Sequence, residues 1–129
     1  MTHQPIVRHI SEAAEEVWAD HRGSISFRTA VGDGTTPTGN LCSGLAHLEP
    51  GGWLGLHRHT APEVYQVLTG EGIVTLEGIE HEVRAGSAVY IPSDAEHGIR
   101  NSGGTPLEFL YVYESDAITD IEYVWTESQ

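Results

Sequence analysis

One stretch limits what this chain can become more than any other: residues 51–70, Gly-Gly-Trp-Leu-Gly-Leu-His-Arg-His-Thr-Ala-Pro-Glu-Val-Tyr-Gln-Val-Leu-Thr-Gly. It carries His57, His59 and Glu63. A fourth candidate ligand, His97, follows in the run Ile91-Pro92-Ser93-Asp94-Ala95-Glu96-His97. Three imidazoles and a carboxylate form a borderline-soft donor set suited to Fe, Mn, Co, Ni, Cu or Zn, so one divalent transition metal is the expected cofactor. Side chains two apart on a strand share a face, which puts the rings of His57 and His59 together. Glu63 follows a short loop bearing Pro62 and opens a strand-like run to Thr69. Adjacent strands would then bring all three side chains to one point. Four protein ligands on a six-coordinate metal leave two positions free, and an open position marks a catalytic rather than a closed structural site. Such a position would bind a substrate carboxylate or hydroxyl, acidify a water or hold dioxygen.

The rest of the chain reads as all-β. From residue 41 onward strand-like runs alternate with turn residues: 41–48, 53–59, 63–69, 73–76, 79–83, 87–91, 97–101 and 106–114, with a last short strand expected at 121–125. Ahead of them, residues 24–31 alternate with Ile25, Phe27, Thr29 and Val31 on one side, and residues 32–40 form a long loop. Residues 11–18, Ser-Glu-Ala-Ala-Glu-Glu-Val-Trp, read as a short helix capped by Ser11. The expected organisation is an N-terminal arm over residues 1–23, packed on the barrel or on a second subunit, and one β-barrel domain over residues 24–129.

Charge and cysteine usage narrow the function. With 6 Lys+Arg against 19 Asp+Glu the formal net charge is −13, which argues against nucleic acid and against anionic membrane surfaces. No apolar run approaches the ~20 residues of a membrane span. Cys42 is the single cysteine, and the first ten residues lack the apolar core of a secretory signal, so the cytoplasm is the expected location. The partner expected is a small-molecule substrate.

Several tyrosines bear on that substrate. Tyr65, two residues after Glu63, falls on the same face beside the metal. A nearby dication favours the phenolate, which makes Tyr65 a candidate general base; a barrel tyrosine is equally often core with a satisfied hydroxyl. Phe109, Tyr111 and Tyr113 form a period-two stripe that reads as barrel core, with Tyr111 a candidate to line the ligand cavity. By its place in the tail, Tyr123 reads as surface or interface.

The motif spacing adds a family. Gly51, five residues, His57, one, His59, three, Glu63, six, Gly70 resembles the first motif of the cupin superfamily at every fixed position. Gly86, Pro92, His97 and Asn101 resemble the second, except that Asp94 stands where the family usually has Gly. That position is a turn, which Asp tolerates. The resemblance implies a single-domain cupin, a jelly-roll-like antiparallel β-barrel with the metal inside, and a homodimer. From about residue 51 to 125 the chain further resembles the small cupin-type dimethylsulfoniopropionate lyases of marine bacteria, through His57, His59, Glu63, Tyr65, residues 94–97, Leu107-Glu108-Phe109 and Ile121-Glu122-Tyr123. That resemblance implies metal binding by His57, His59, Glu63 and His97, catalytic roles for Tyr65 and Tyr123, and β-elimination to acrylate and dimethyl sulfide. Two alternatives stand beside it. One is another metal-dependent cupin enzyme, an oxygenase or an isomerase, although a chain without lysine offers little to a sugar phosphate. The other is a non-catalytic metal- and ligand-binding module.

Overall fold

The computed structural model describes residues 3–127. Strands make up almost all of its regular structure: β1 (Glu16–Asp20), β2 (Gly23–Val31), β3 (Cys42–Leu48), β4 (Trp53–Arg58), β5 (Glu63–Thr69), β6 (Glu71–Leu76), β7 (Ile79–Arg84), β8 (Ala88–Ile91), β9 (His97–Asn101), β10 (Leu107–Tyr113) and β11 (Val124–Trp125). The helical pieces among the described residues are two 3-10 turns, Ile10–Glu12 and Ile118–Asp120.

Every pairing is antiparallel, and the strand order is β7-β6-β9-β4-β2-β3-β10-β5-β8, with β1 added on β2 and β11 on β4. The sheet curls into a cupin-like half-barrel. Strict alternation drives the curl. On β3 Cys42, Gly44, Ala46 and Leu48 face inward, and on β10 Leu107, Phe109, Tyr111 and Tyr113 do. Their neighbours face out, as expected for a sheet with one covered face. Gly44 has a specific reason to be glycine: a Cβ there would run into the Tyr111 hydroxyl and the Arg28 carbonyl. Its absence lets the Tyr111 hydroxyl cross β3 and reach Thr29 Oγ1 at 2.6 Å.

Two expectations change. Residues 11–18 do not form a helix. The turn Ile10–Glu12 is capped by His9 rather than Ser11, with the His9 ring accepting from the Ser11 N–H and Glu12 reaching back to the His9 N–H. The chain then extends into β1, which lies along β2 from Glu16 opposite Phe27 to Asp20 opposite Gly23. Edge pairing onto β2 satisfies the backbone and half-buries Trp18, and it overrides a helical propensity that is weak in a short segment. Second, β4 and β5 are not adjacent. Between them in the sheet run β2, β3 and β10, so Glu63 meets the histidines across the barrel rather than from a neighbouring strand. The tail strand is also shorter than expected, only Val124–Trp125, behind the turn Ile118–Asp120.

Candidate metal centre

His57 lies on β4 directly opposite His97 on β9, with ring centroids 4.1 Å apart. His59 follows just beyond the end of β4, and its ring sits 5.5 Å from His57 and 4.9 Å from His97. The three are buried, and their candidate ligand nitrogens lie within 4.8 Å of one another. Each ring is oriented by the same device. His57 Nδ1 meets the Gly55 carbonyl at 2.7 Å, His59 Nδ1 the Ala61 carbonyl at 2.7 Å, and His97 Nδ1 the Ala95 carbonyl at 2.9 Å. A carbonyl only accepts, so Nδ1 carries the proton in each ring and the Nε2 lone pair points to the shared centre.

Glu63 opens β5 and closes the set from the far side. Its Oε1 lies 3.2 Å from His59 Nε2 and 3.4 Å from His97 Nε2. These five atoms, three Nε2 and both Glu63 oxygens, are buried and have no hydrogen-bond partner among the described residues. Lone pairs facing lone pairs in a dry site repel, and unpaired buried polar atoms are costly. A cation at their common focus removes both penalties, and the donors fit a divalent transition metal. Burial, with smaller contributions from the neighbouring charges of His97 and His59, pushes His57 down to about 3, so it is a neutral ligand at any ordinary pH.

The second motif supports the first through its odd residue. Asp94 has φ +64°, the left-handed backbone that favours Gly and that Asp and Asn adopt more readily than most residues. This turn sends the Asp94 N–H to the His59 carbonyl at 2.9 Å, tying the loop before His97 to the chain at His59.

A narrow cavity of about 30 Å³, the room of a water or two, reaches the cluster at Glu63. Glu63 is its one charged lining side chain among the described residues, and aromatic rings form most of the wall. Tyr65 is fully buried beside Glu63, its ring tilted against Phe109 at 4.4 Å and 6.2 Å from the His97 ring. Burial first, then the charges of Glu63 and Tyr123, raise its hydroxyl well above the usual phenol range. Tyr123 is drawn inward from the tail: its ring lies 5.4 Å from His57 and 5.7 Å from His59, and its hydroxyl 3.2 Å from that of Tyr113. The surface position suggested by its place in the tail does not hold. Tyr111 lines the cavity with its ring while its hydroxyl is engaged by Thr29.

Three residues reach this site without having been singled out for it. Tyr113 lies opposite Glu63 in the β10–β5 register and 5.2 Å from the His59 ring; burial and the Glu63 charge raise its hydroxyl well above the usual range. Trp125 packs 4.9 Å from His57 and stacks on Tyr123 at 5.6 Å. Trp18 of β1 lines the cavity itself. The period-two stripe was the only sequence signal for Tyr113, and it does not separate core from site. Nothing local marks the two tryptophans.

Comparison with known proteins agrees with this geometry. A family model described as a cupin domain matches residues 44–113. The chain is 43% identical over 106 residues to dimethylsulfoniopropionate lyase DddW of Ruegeria pomeroyi, a match spanning 82% of this chain and 69% of that protein. It is 41% identical over 66 residues to an oxalate-binding protein of Thermotoga maritima, covering 50% of this chain and 54% of that one. Among solved structures, a predicted oxalate decarboxylase of T. maritima superposes with a TM-score of 0.76 at 29% identity, over 85% of this chain and 99% of that chain. Dimethylsulfoniopropionate lyase DddQ of R. pomeroyi superposes with a TM-score of 0.75 at 22% identity, over 92% and 64%, and so bears on the fold alone.

Proposed function

The chain belongs to the cupin family, and from that premise we propose that it is a metal-dependent lyase cleaving dimethylsulfoniopropionate to acrylate and dimethyl sulfide. One observation carries the reading: the carboxylate of a three-histidine, one-carboxylate cluster, Glu63, lines a small aromatic cavity with no cationic lining side chain among the described residues. Such a cavity suits a zwitterion whose carboxylate goes to the metal end and whose sulfonium goes to the rings, which attract cations through their π faces. The similarity to DddW over most of the chain supports the same assignment.

His57, His59, Glu63 and His97 would hold the metal, which when bound supplies a Lewis acid that withdraws charge from the substrate carboxylate. Tyr65 is the base. In the metal-free site burial and Glu63 keep it protonated, so its service as a base belongs to the metal-loaded protein. The Tyr65 phenolate takes a proton from the carbon next to the carboxylate. The electron pair left behind forms the carbon–carbon double bond, the carbon–sulfur bond breaks, and dimethyl sulfide departs neutral. Tyr123, hydrogen-bonded to Tyr113, is the second hydroxyl facing the reaction. The aromatic walls exclude water. The reading includes a homodimer, with the exposed Val64, Leu68, Tyr90 and Leu110 as the apolar surface available to it; light scattering on the purified protein tests it.

A second reading, an enzyme acting on oxalate or a similar dicarboxylate, draws on the likeness to the T. maritima protein. It is the weaker one because a dicarboxylate brings two negative charges to a cavity whose charged lining residue is Glu63. The test is headspace gas chromatography after reconstitution with Fe(II), Mn(II), Ni(II), Co(II) or Zn(II). Metal-dependent dimethyl sulfide release, lost in Tyr65→Phe, is the expected result. No release with any metal retires the lyase reading and moves the search to oxalate turnover and oxygen uptake.

A further inference from the structure

We propose that Trp18 is a specificity-determining residue of this cavity: the indole delivered by β1 is the surface that reads the positive charge of an onium carboxylate. The inference rests on the proposed lyase reading for its ligand class and adds the residue that selects it.

The strand itself is the first observation. β1 exposes four of its five residues, and only Trp18 is turned inward. A strand that turns in one half-buried side chain contributes little core, and that one side chain lines the cavity. The second observation is where the indole stands. Its ring neighbours are Phe27 at 5.1 Å, Tyr123 at 5.6 Å and Trp125 at 5.7 Å, and no histidine ring of the metal cluster is among them. Tyr123, by contrast, lies against His57. Trp18 therefore stands one ring further out from the metal cluster than Tyr123, on the side where the far end of a ligand would lie if its carboxylate were at the metal.

Chemistry separates Trp18 from the other rings. Tyr111 is tethered by its hydroxyl to Thr29, and Tyr113 and Tyr123 are paired with each other. Tyr65 sits beside Glu63 against Phe109. Indole also has the strongest cation–π attraction of the three aromatic side chains. The Trp18 plane is fixed from outside: the Arg22 guanidinium lies 4.3 Å from its ring centroid and is itself gripped by Asp20 through Nε at 3.1 Å and Nη2 at 2.8 Å. An indole held in this way offers a preset surface with little ordering to be done on binding.

The test is calorimetric titration of the full chain loaded with Zn(II), using two probes of equal shape. One is 3-(trimethylammonio)propanoate, and the other is 4,4-dimethylpentanoate, in which carbon replaces the charged nitrogen. The native protein should prefer the cationic probe by about tenfold. Trp18→Leu, which keeps apolar bulk but removes the π face, should abolish most of that preference with bound zinc unchanged, and Trp18→Phe should restore part of it. A preference that survives Trp18→Leu, or equal weakening of both probes, overturns the inference. So does a native protein that shows no preference. If Trp18→Leu does not fold, Trp18→Phe decides: a loss of about threefold is expected, and an unchanged preference overturns the inference. A protein that shows the Trp18-dependent preference yet releases no dimethyl sulfide would fail the lyase reading and keep this one.

Discussion

At the scale of single residues the site has two kinds of group, and substitutions should separate them. His97 gives the metal a buried lone pair and nothing else in the barrel replaces it. His97→Ala is expected to lose bound metal and turnover together, as read by elemental analysis beside the dimethyl sulfide assay. Tyr65→Phe keeps the ring and removes no metal ligand, so it should leave metal content and melting temperature near native while kcat falls at least ~100-fold, the usual scale of a lost general base. Equal activity in that variant would move the base to Tyr123. Asp94 gives a finer test. Its positive φ accepts Gly, so Asp94→Gly should change stability by no more than about 0.5 kcal/mol. Asp94→Val should cost about 1–2 kcal/mol or more and loosen His59 through the lost geometry of the Asp94 N–H bond; chemical denaturation of the two variants measures the difference. The ligands were legible in sequence because their spacing is local: three lie within seven residues, and His97 stands in its own short motif. Tyr113 was not legible as a site residue, because what makes it one is its register opposite Glu63, a pairing of strands 50 residues apart that periodicity does not encode.

At the scale of elements, the barrel strands and the pieces that cover the site behave differently. Strands β2 to β10 could be read from alternation and turn residues, and their bounds move by only one or two positions. The covering pieces, β1 and the tail, were the misread ones. Neither has a pattern of its own, since β1 turns a single half-buried residue inward and β11 has only two residues. Both take their conformation from what they lie on, β2 and β4. Besides the two-residue pairing of β11 on β4, the bonds that hold the tail include the Thr126 N–H to the Leu56 carbonyl at 3.0 Å, the Thr126 hydroxyl to Glu96 at 2.7 Å, and the Ile118 N–H to the Gly32 carbonyl at 2.7 Å. Segments with few buried contacts open at low free energy, and the metal cluster is otherwise closed to solvent. Thr126→Ala should therefore cost only about 1 kcal/mol globally. Amide hydrogen exchange should nonetheless speed up selectively around Trp125, with β3 and β10 unchanged. Uniform acceleration across the barrel would mean that the tail is part of the cooperative core rather than its cover.

At the scale of the whole molecule, the half-barrel keeps three imidazoles and a carboxyl group out of water, and through His57 this couples its stability to pH. Consider the metal-free protein. His57 titrates near the ordinary 6.5 when unfolded and near 3 when folded, because burial and the neighbouring imidazoles oppose its charge. Between those values the unfolded chain binds the extra proton, so acid favours unfolding. The stability associated with neutral His57 is fully present above about pH 6.5 and is lost as pH falls toward 3, with a limiting slope of about 1.4 kcal/mol per pH unit. His47 has the opposite sign. Hydrogen bonds donated by its ring to the Glu108 and Glu49 carboxylates raise it, so its contribution is present at low pH and lost as pH rises, but it is partly exposed and screened. The buried residue should dominate: metal-free protein should be about 2 kcal/mol less stable at pH 5 than at pH 7, and His57→Gln should flatten that dependence. Loading with metal should raise the melting temperature at pH 7, since a ligand bound only by the folded state stabilises it. That increment should shrink toward pH 5 as protons compete for the same imidazoles. Differential scanning calorimetry of chelated and loaded protein at both pH values measures the two effects. A metal-induced increment that does not change with pH would mean that the histidines are not the ligands, and would leave the orphaned Nε2 atoms of the barrel without an explanation.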